Sequence, residues 1–513
     1  MRNWKISIFM IKRERVDLAI LLLVSLLLSI YLFFQTYVIS LDGAFQYIPM
    51  AKDFASGLFK EGFQKTGQQP LYPLLISGVS CWTKDFELAG MLVSSFFGVL
   101  IILPVYYLGK WVFGQQVAFI SVLLLIIHPH IRRFSADVLK ESTYLFFLAT
   151  AIWFSWRTID KDKIYYYLLI PFLSTIAYFT RPDGIEVFFV VFFYVLLIKK
   201  FSSPTKRGKV ILLLLLTSGI FVLPYLLYLR EISGEWTLSK TKSIEGLLGL
   251  EGIREGASFF MNRVLYTLKK LNLEFIAIYH PFYILLFFIG LWKKRASFFK
   301  GGEGFILSFF FLHYLMSFLF ILNLTVWRAD GTPHGFLFSG RHILPLILFS
   351  IYWVGVGFVE VFYRVFRKME SLRLFSHLHS ERRSVLIGAI VLILMLTPLL
   401  PKTLKPQRYE RLPEKWAGTW IKEQSGRGTT LFTTLPRVAY YADGKYEYVD
   451  FNKDTLDKIK ASMVEREARY LVLRGRELTD YPEIAKSINR DFIEIIRYEE
   501  KGIEKVVIYK RLG

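Results

Sequence analysis

The chain has 513 residues, of which 54% are hydrophobic and 17% aromatic. Its mean hydropathy of +0.40 is far above that expected for a soluble chain of this length. The apolar residues come in runs of about 20, the length that crosses a hydrocarbon core of roughly 30 Å as a helix. The composition therefore excludes an ordinary soluble protein and predicts one that spans a membrane several times.

The charge is strongly basic, with a net value of +22 from 64 basic and 42 acidic residues. Nucleic-acid binding is one cause of such a balance, but the sequence carries no nucleic-acid motif. Basic cytoplasmic loops are the commoner cause in a membrane protein. We therefore expect membrane lipids and no nucleic acid among the partners. The single cysteine, Cys81, excludes an internal disulfide and is predicted to be a small buried side chain.

About eleven apolar runs follow one another along residues 1–401. The first is too long for a cleaved signal peptide and lacks a small-residue cleavage site, so it is predicted to remain as a span. The predicted spans are 18–38, 88–108, 117–127, 142–156, 165–179, 185–198, 210–229, 273–292, 305–322, 343–362 and 385–400.

Charge alternation predicts the orientation of these spans. Three loops hold 15 Lys and Arg between them, and all three fall on the same side as the basic N-terminus: KKFSSPTKRGK, KKRASFFK and RVFRKMESLRLFSHLHSERR. Short basic loops face the cytoplasm. The N-terminus is therefore predicted to be cytoplasmic and the C-terminus extracytoplasmic, in a plasma or inner membrane.

The composition changes at Lys402. Four segments have the alternation or apolar runs of strands, namely GTTLFTTL, YLVLRG, FIEIIRYE and KVVIYKR, and 452–467 and 481–489 have the pattern of helices. We predict a polytopic α-helical membrane domain at 1–401, followed by a small extracytoplasmic α/β domain at 402–513.

The loop after the first span places a carboxylate, Asp42, close to hydrocarbon. Ionisable groups in such positions are costly and tend to be functional. Residues 44–58 have the pattern of an amphipathic helix lying in the interface, and QQPLYPLLISGVSCW is too short and proline-broken for a full span. Asp42 has a structural alternative as the N-cap of the interfacial helix.

Further charges collect on the predicted outer face, at the ends of spans. They are Arg132, Arg133, Asp137, Lys140 and Glu141, then Arg181 and Asp183, then Arg341 and His342. Guanidinium groups bind phosphate oxygens, and a carboxylate accepts the proton of an attacking hydroxyl. The set therefore suits a phosphate or diphosphate on a lipid carrier. Taken singly, the basic residues are also explained by lipid headgroups or by snorkelling.

These motifs resemble the GT-C membrane glycosyltransferases. The loop with Asp42, the turn QQPLYPLLIS and the later segments AYFTRPDGI and SGRHILPLI are closest to the family 39-like group, which includes protein O-mannosyltransferases and lipid A aminoarabinose transferases. The resemblance implies that Asp42 is the general base and Glu141 a second catalytic carboxylate. It implies that Arg181 and Arg341 meet the donor phosphate. We add Arg132 and Arg133 as further candidates for binding that phosphate, because they lie on the same predicted face.

The other candidates at this site are Asp137, Lys140, Asp183 and His342. Two departures from the family pattern concern the ligands. Gly43 stands where many relatives have a second acidic residue, so a divalent cation is left open. Gln69 stands where some relatives have a lysine.

The resemblance implies transfer of a hexose or pentose from a polyprenyl-phosphate donor to a protein, lipid or glycan on the outer face. Two other classes stay open. A transporter or flippase would need ionisable residues within spans and repeat symmetry, and the sequence reveals neither. A membrane-anchored cell-envelope assembly protein would act through 402–513.

Overall fold

The computed structural model describes residues 14–199, 203–239, 242–243, 257–325, 327, 339–372 and 380–512. The chain divides into two compact units. The first, here called the membrane unit, comprises Met1–Tyr31 and Met50–Leu404. The second, called the C-terminal unit, comprises Leu32–Pro49 and Lys405–Gly513. The segment that carries Asp42 therefore belongs to the same unit as the C-terminal residues.

The membrane unit is helical. Its α-helices are α1 Glu14–Phe34, α2 Ile48–Ala55, α3 Phe59–Thr66, α4 Leu71–Thr83, α5 Phe86–Leu100, α6 Ile102–Phe113, α7 Gln115–Ile126, α8 Pro129–Ser135, α9 Glu141–Lys161, α10 Leu169–Tyr178, α11 Glu186–Phe193, α12 Pro204–Ser233, α13 Ala257–Tyr279, α14 Pro281–Lys294, α15 Gly301–Leu324, α16 Leu344–Ser371, α17 Ser380–Leu396 and α18 Leu400–Leu404. Short turns of π or 3₁₀ helix lie at Ile164–Leu168, Pro182–Ile185, Tyr194–Ile198, Gly340–Ile343 and Thr397–Leu399, and the π turn Gly43–Tyr47 belongs to the C-terminal unit. Two short strands, β1 Thr237–Ser239 and β2 Lys242–Ser243, pair antiparallel.

Fewer helices than predicted are long enough to span a membrane. Among the described residues there are 6 such helices, or 8 if each of two bent pairs is one span. The predicted count of about eleven is not confirmed. The difference lies in short runs. The predicted span 117–127 corresponds to a 12-residue helix in one of the bent pairs, and 185–198 corresponds to the 8-residue α11 and the π turn that continues it.

The predicted span 273–292 is wrong as a single helix. α13 and α14 meet there at an angle of 101°. His280 between them has a positive φ of 69°, and Pro281 begins the next helix without a backbone donor. Cys81, predicted to be buried, is exposed at the end of α4.

The centre of the membrane unit is α16, whose first half is buried on all sides. α14 packs against it by close backbone contact, because a Cβ atom on Gly290 would lie 1.9 Å from the Trp353 carbonyl oxygen. Gly357 faces the Leu286 carbonyl oxygen at the same distance. Small residues at such crossings let helices approach closely where lipid provides no hydrophobic drive.

The C-terminal unit contains a five-stranded sheet. Its strands are β3 Thr430–Thr433, β4 Lys445–Tyr448, β5 Tyr470–Arg474, β6 Phe492–Tyr498 and β7 Val506–Arg511, in the order β4-β3-β5-β7-β6. β3 pairs parallel with β4 and β5, whereas β7 pairs antiparallel with β5 and β6. Its helices are α19 Leu412–Ser425, α20 Pro436–Tyr441, α21 Leu456–Glu465, α22 Gly475–Asp480 and α23 Pro482–Asp491, after a 3₁₀ turn at Tyr409–Arg411.

The sheet is covered on both faces, because successive residues of its strands point to opposite sides. Leu471 and Leu473 enter a core that includes residues of α21 and α23, whereas Tyr470 and Val472 enter one formed with α19 and α20. The four predicted strands are present. The sequence missed β4, whose KYEY is largely exposed, and α19. The predicted fold class, a polytopic helical membrane protein with a small α/β C-terminal part, is confirmed.

Candidate active site

Glu141, Arg181 and Arg341 lie together in the membrane unit. Glu141 is the first residue of α9, where the helix dipole favours a negative charge. Arg341 Nη1 lies 3.6 Å from Glu141 Oε1, and Arg181 Nη1 donates to the Arg341 carbonyl oxygen at 3.2 Å. The structure thus joins three residues that are separated by up to 200 positions in sequence. We call Glu141, Arg181, Asp183 and Arg341 the polar cluster.

Arg181 is held rigidly within this cluster. Its Nη2 forms an ion pair of 2.6 Å with Asp183, and its guanidinium lies over the Tyr144 ring at 5.1 Å. Burial lowers the pKa of Arg181, but the neighbouring Asp183 and Glu141 carboxylates outweigh it and the pKa ends above its ordinary value. Arg181 therefore carries a permanent charge.

The TRPDG motif places these side chains. Arg181 is extended before Pro182, as a residue before proline prefers. Gly184 packs directly on α10, because a Cβ atom there would lie 2.3 Å from Ala177 C and Tyr178 N. Asp183 is thereby fixed between α10 and α11.

The Glu141 carboxylate and the two guanidinium groups of the cluster differ in how accessible they are to a ligand. Glu141 is buried, and within the described part of the chain its Oε2 has no hydrogen-bond partner. The Arg341 side chain is 30% exposed, whereas that of Arg181 is 5% exposed. Arg341 and Glu141 are therefore the members of the cluster best placed to meet a substrate.

A buried histidine beside the cluster was missed by the sequence analysis. His313 Nδ1 lies 2.9 Å from both carboxylate oxygens of Glu186, and His313 Nε2 lies 2.7 Å from the His342 carbonyl oxygen. His313 lies within α15, so the statement that no ionisable residue lies inside a span is wrong. A lone histidine in the run FFFLHYLM was the available signal.

The same contacts hold the turn that carries Arg341. His342 also bonds Ser339 through Nδ1 in a capping box, and its ring stacks on Phe320 at 5.2 Å. A cavity of about 40 Å³ lies among Asp183, Glu186 and His313. His342 therefore holds the turn that carries Arg341, through its backbone carbonyl group and through the capping bond of its side chain.

Lys140 and Asp137 lie on the approach to Glu141. Lys140 Nζ donates to Gln68 Oε1 at 2.8 Å, which ties the start of α9 to the QQPLYP turn. Asp137 is buried and, like Glu141, acts electrostatically on the Tyr72 hydroxyl. The structure thus links the two segments that the sequence analysis treated as separate landmarks.

Gln69, the departure from the family pattern, has a structural role here. Its amide nitrogen donates to the Leu238 carbonyl oxygen at 3.0 Å, and its amide oxygen accepts from the Tyr225 hydroxyl at 2.7 Å. Gln69 therefore fixes the turn against α12 and β1.

Arg132 is not part of the polar cluster. Its side chain is buried, with hydrogen bonds to Ser25, Ser29 (2.9 Å) and the Ile126 carbonyl oxygen (3.2 Å). These contacts pin α8 to α1. They leave Arg132 engaged in packing rather than in binding a substrate.

Arg133 lies in a different basic neighbourhood. It interacts electrostatically with His130 and Lys402, and His280 interacts electrostatically with the same two residues. The four arginines predicted to bind the donor phosphate therefore do not form one site. Arg181 and Arg341 lie in the polar cluster, whereas Arg132 and Arg133 lie elsewhere.

Asp42 belongs to the C-terminal unit. It is half-buried, has helical dihedral angles (φ −63°, ψ −39°) and makes no capping hydrogen bond. The Gly43 N–H is bonded instead by the Ser40 hydroxyl at 3.0 Å. The alternative interpretation of Asp42 as an N-cap is therefore wrong.

The segment before Asp42 is bound to the C-terminal residues. Arg437 Nε donates to the Ile39 carbonyl oxygen at 3.0 Å, and the Ile39 N–H donates to the Tyr441 hydroxyl at 3.2 Å. Arg437 also pairs with the buried Glu414 at 3.2 Å. The C-terminal unit thus fixes the backbone three residues before Asp42.

The described residues do not fit a metal ion. Over the ranges that the structure describes, no three His, Cys, Asp or Glu side chains are grouped to hold one. Arg181 and Arg341 neutralise the carboxylates of the polar cluster, which would otherwise be the natural ligands.

The fold is that of the GT-C membrane glycosyltransferases, so the resemblance seen in the sequence is confirmed. The dolichyl-phosphate-mannose-protein mannosyltransferase family matches residues 67–228. No curated protein sequence matches the chain.

Three solved structures show the likeness of fold. ArnT from Cupriavidus metallidurans, bound to undecaprenyl phosphate, matches with a TM-score of 0.56 at 12% identity, over 96% of this chain and 97% of that one. AglB from Archaeoglobus fulgidus, with an inhibitory peptide and a dolichol-phosphate, matches with a TM-score of 0.57 at 11% identity, over 95% and 73%. The oligosaccharyltransferase of Archaeoglobus fulgidus with Zn and sulfate matches with a TM-score of 0.54 at 12% identity, over 95% and 72%.

Proposed function

We propose that the protein is a membrane glycosyltransferase that moves a sugar from a polyprenyl-phosphate donor to an acceptor. The polar cluster carries this proposal: an accessible arginine and a buried carboxylate with a spare oxygen, built on a GT-C fold. The match to a mannosyltransferase family and the lipid phosphates bound by ArnT and AglB support it. The acceptor is a protein, a lipid or a glycan, and the sugar is a hexose or pentose.

Arg341 binds the donor phosphate in this proposal. Its guanidinium is the more exposed of the two in the cluster, and arginine forms paired hydrogen bonds with phosphate oxygens. Arg181 holds the Arg341 backbone and supplies a second positive charge. Glu141 orients Arg341 and offers its free oxygen to a donor hydroxyl, as an assisting carboxylate.

Asp42 is the general base. The acceptor hydroxyl attacks the anomeric carbon and its proton passes to Asp42. The bond between that carbon and the phosphate oxygen breaks, and polyprenyl phosphate leaves with the electron pair. Arg341 stabilises the charge that develops on the leaving phosphate. Attack from the face opposite the phosphate inverts the anomeric configuration.

The orientation that we propose places this chemistry on the outer face of the cell membrane. The charge alternation supports it, with 15 Lys and Arg in three loops on the opposite side. An undecaprenyl- or dolichyl-type carrier would lie with its chain between the helices.

Sugar transfer from a polyprenyl-phosphate donor in isolated membranes tests the proposal. A general base contributes roughly 10²–10⁴-fold to a rate, so we expect Asp42→Asn to lose at least about 100-fold in kcat. Asp53→Asn is the matched control, because Asp53 pairs with the largely exposed Lys65, a type of ion pair that contributes little. Full activity in Asp42→Asn would remove Asp42 from the role of base, and no transfer by the unaltered protein from any such donor would refute the proposed activity.

A further inference from the structure

A groove of about 600 Å³ lies in the C-terminal unit, and neither Asp42 nor any residue of the polar cluster lines it. This volume is within the range of roughly 300–1,000 Å³ of small-molecule sites. Four aromatic side chains line it, together with one basic and one acidic residue: Tyr37, Trp416, Trp420, Tyr498, Lys415 and Glu423.

The aromatic rings are fixed before any ligand binds. Trp416 and Trp420 are four positions apart on α19 and so share one face of the helix. Trp416 contacts Tyr498 with ring centroids 5.7 Å apart, and Trp420 packs edge-on against Tyr470 at 5.9 Å. Tyr37 packs edge-on against Tyr409 at 5.1 Å. Rings held in this way lose little freedom on binding, which favours affinity.

The charges of the groove cancel. Lys415 lies over the Tyr441 ring at 5.1 Å, and Glu423 interacts electrostatically with Tyr498. One positive and one negative group do not select an ion, but they supply both donors and acceptors of hydrogen bonds. Thr419 adds a hydroxyl from an exposed position on the same helix.

We propose that this groove binds the pyranose rings of a saccharide, separately from the polar cluster. A pyranose has apolar C–H faces and a rim of hydroxyls, so it matches flat aromatic walls edged by Lys415, Thr419 and Glu423. The choice of a sugar over another ligand of this size rests on the proposed glycosyl transfer, in which the groove would hold the glycan of an acceptor. Binding itself requires no donor and no transfer.

Saturation-transfer NMR on the full chain in nanodiscs tests this inference, with neutral trisaccharides of glucose, mannose, galactose and N-acetylglucosamine as probes. We expect at least one probe to bind, with saturation strongest on its ring C–H protons. Trp416→Ala and Trp420→Ala should each weaken binding at least tenfold. Thr419→Arg should do the same by filling the groove from an exposed position, so a folding defect in the Trp variants leaves the test intact. Trp82→Ala, at an exposed tryptophan of the membrane unit, is the control.

Two results would overturn the inference. One is that none of the four probes binds at a concentration 10 times the dissociation constant of a weak site, which is roughly millimolar. The other is that brominated lipid quenches the fluorescence of Trp416 and Trp420, since such quenching would show that the groove binds lipid. The signal of these two residues is isolated by subtracting the fluorescence of the Trp416→Phe and Trp420→Phe variants. Sugar transfer without saccharide binding would refute only the proposed role of the groove. Saccharide binding without sugar transfer would support that role and refute the proposed glycosyltransferase activity.

Discussion

Arg341 shows how an ambiguous residue gains a role from its neighbours. In the sequence, an arginine at the start of a span is equally well explained by snorkelling. In the structure it pairs with a buried glutamate that lies 200 positions earlier in the chain, and Arg181 holds its backbone. No local pattern contains that information, because the pairing depends on how α9 and α16 pack.

Arg341→Gln should raise KM for the lipid-phosphate donor and lower kcat/KM by roughly 10–100-fold, since a hydrogen bond to a charged group contributes about 1.5–3 kcal/mol. Arg341→Lys should recover only part of the loss, because lysine cannot form the paired contact. Initial rates over a range of donor concentrations measure this. Arg364→Gln is the control, since Arg364 pairs with Glu360 on an exposed helical surface. An unchanged KM in Arg341→Gln would argue against phosphate binding there.

The Glu186–His313 pair gives a prediction about stability. Both side chains are buried, so removing one partner leaves an uncompensated polar group and should cost about 3–5 kcal/mol. His313→Phe should therefore lower the unfolding temperature in detergent more than the double variant Glu186→Leu/His313→Phe does. A double variant that is destabilised as much as His313→Phe would mean that the unpaired Glu186 carboxylate carries no penalty. Transfer assays on the double variant then report whether the pair positions the turn that carries Arg341.

At the scale of helices, the contact between α14 and α16 depends on two glycines that face backbone carbonyls. In Gly357→Ala, the new Cβ atom would lie only 1.9 Å from the Leu286 carbonyl oxygen if the backbone did not move. The backbones must separate, so we expect a loss of about 1–3 kcal/mol and a lower unfolding temperature. Gly208→Ala is the control, because a Cβ atom there meets nothing within 4 Å. A Gly357→Ala protein as stable as Gly208→Ala would show that the crossing tolerates separation.

Helices and strands with a strong period could be predicted from the sequence, and contacts between them could not. Hydrophobic length revealed α1, α12 and α16, but it merged α13 and α14, because composition does not report a bend at a His-Pro step. The exposed strand β4 has no apolar alternation to detect. Asp42, Glu141, Arg181 and Arg341 were selected because of a resemblance and a predicted common face. The structure brings the last three together, whereas Arg132 proved to be pinned to α1.

At the scale of the molecule, the first loop and the C-terminal residues form one unit, a grouping that the sequence did not suggest. Arg437 bridges Ile39 to Glu414, and Arg408 Nη1 donates to the Val38 carbonyl oxygen at 3.0 Å. Removing 402–513 would therefore release the segment that carries Asp42. Deletion of these residues cannot distinguish an enzyme from a scaffold, because both would fail.

The orientation of the chain in the membrane can be tested by labelling, and its one cysteine provides the first probe. Cys81 is exposed at the end of α4, between the Asp42 segment and the next span, so an impermeant maleimide should label it in intact cells. Two variants on a Cys81→Ser background extend the test at exposed lysines. Lys453→Cys in the C-terminal unit should label from outside, and Lys300→Cys, in a basic loop between α14 and α15, only after permeabilisation. Positive-inside asymmetry is the physical reason, since short Lys- and Arg-rich loops are retained in the cytoplasm.

The opposite labelling of Lys300→Cys and Lys453→Cys would reverse the topology and place the polar cluster with a cytoplasmic donor. Because Lys300 and Lys453 are both exposed, the two cysteine variants decide the topology even if Cys81 does not react.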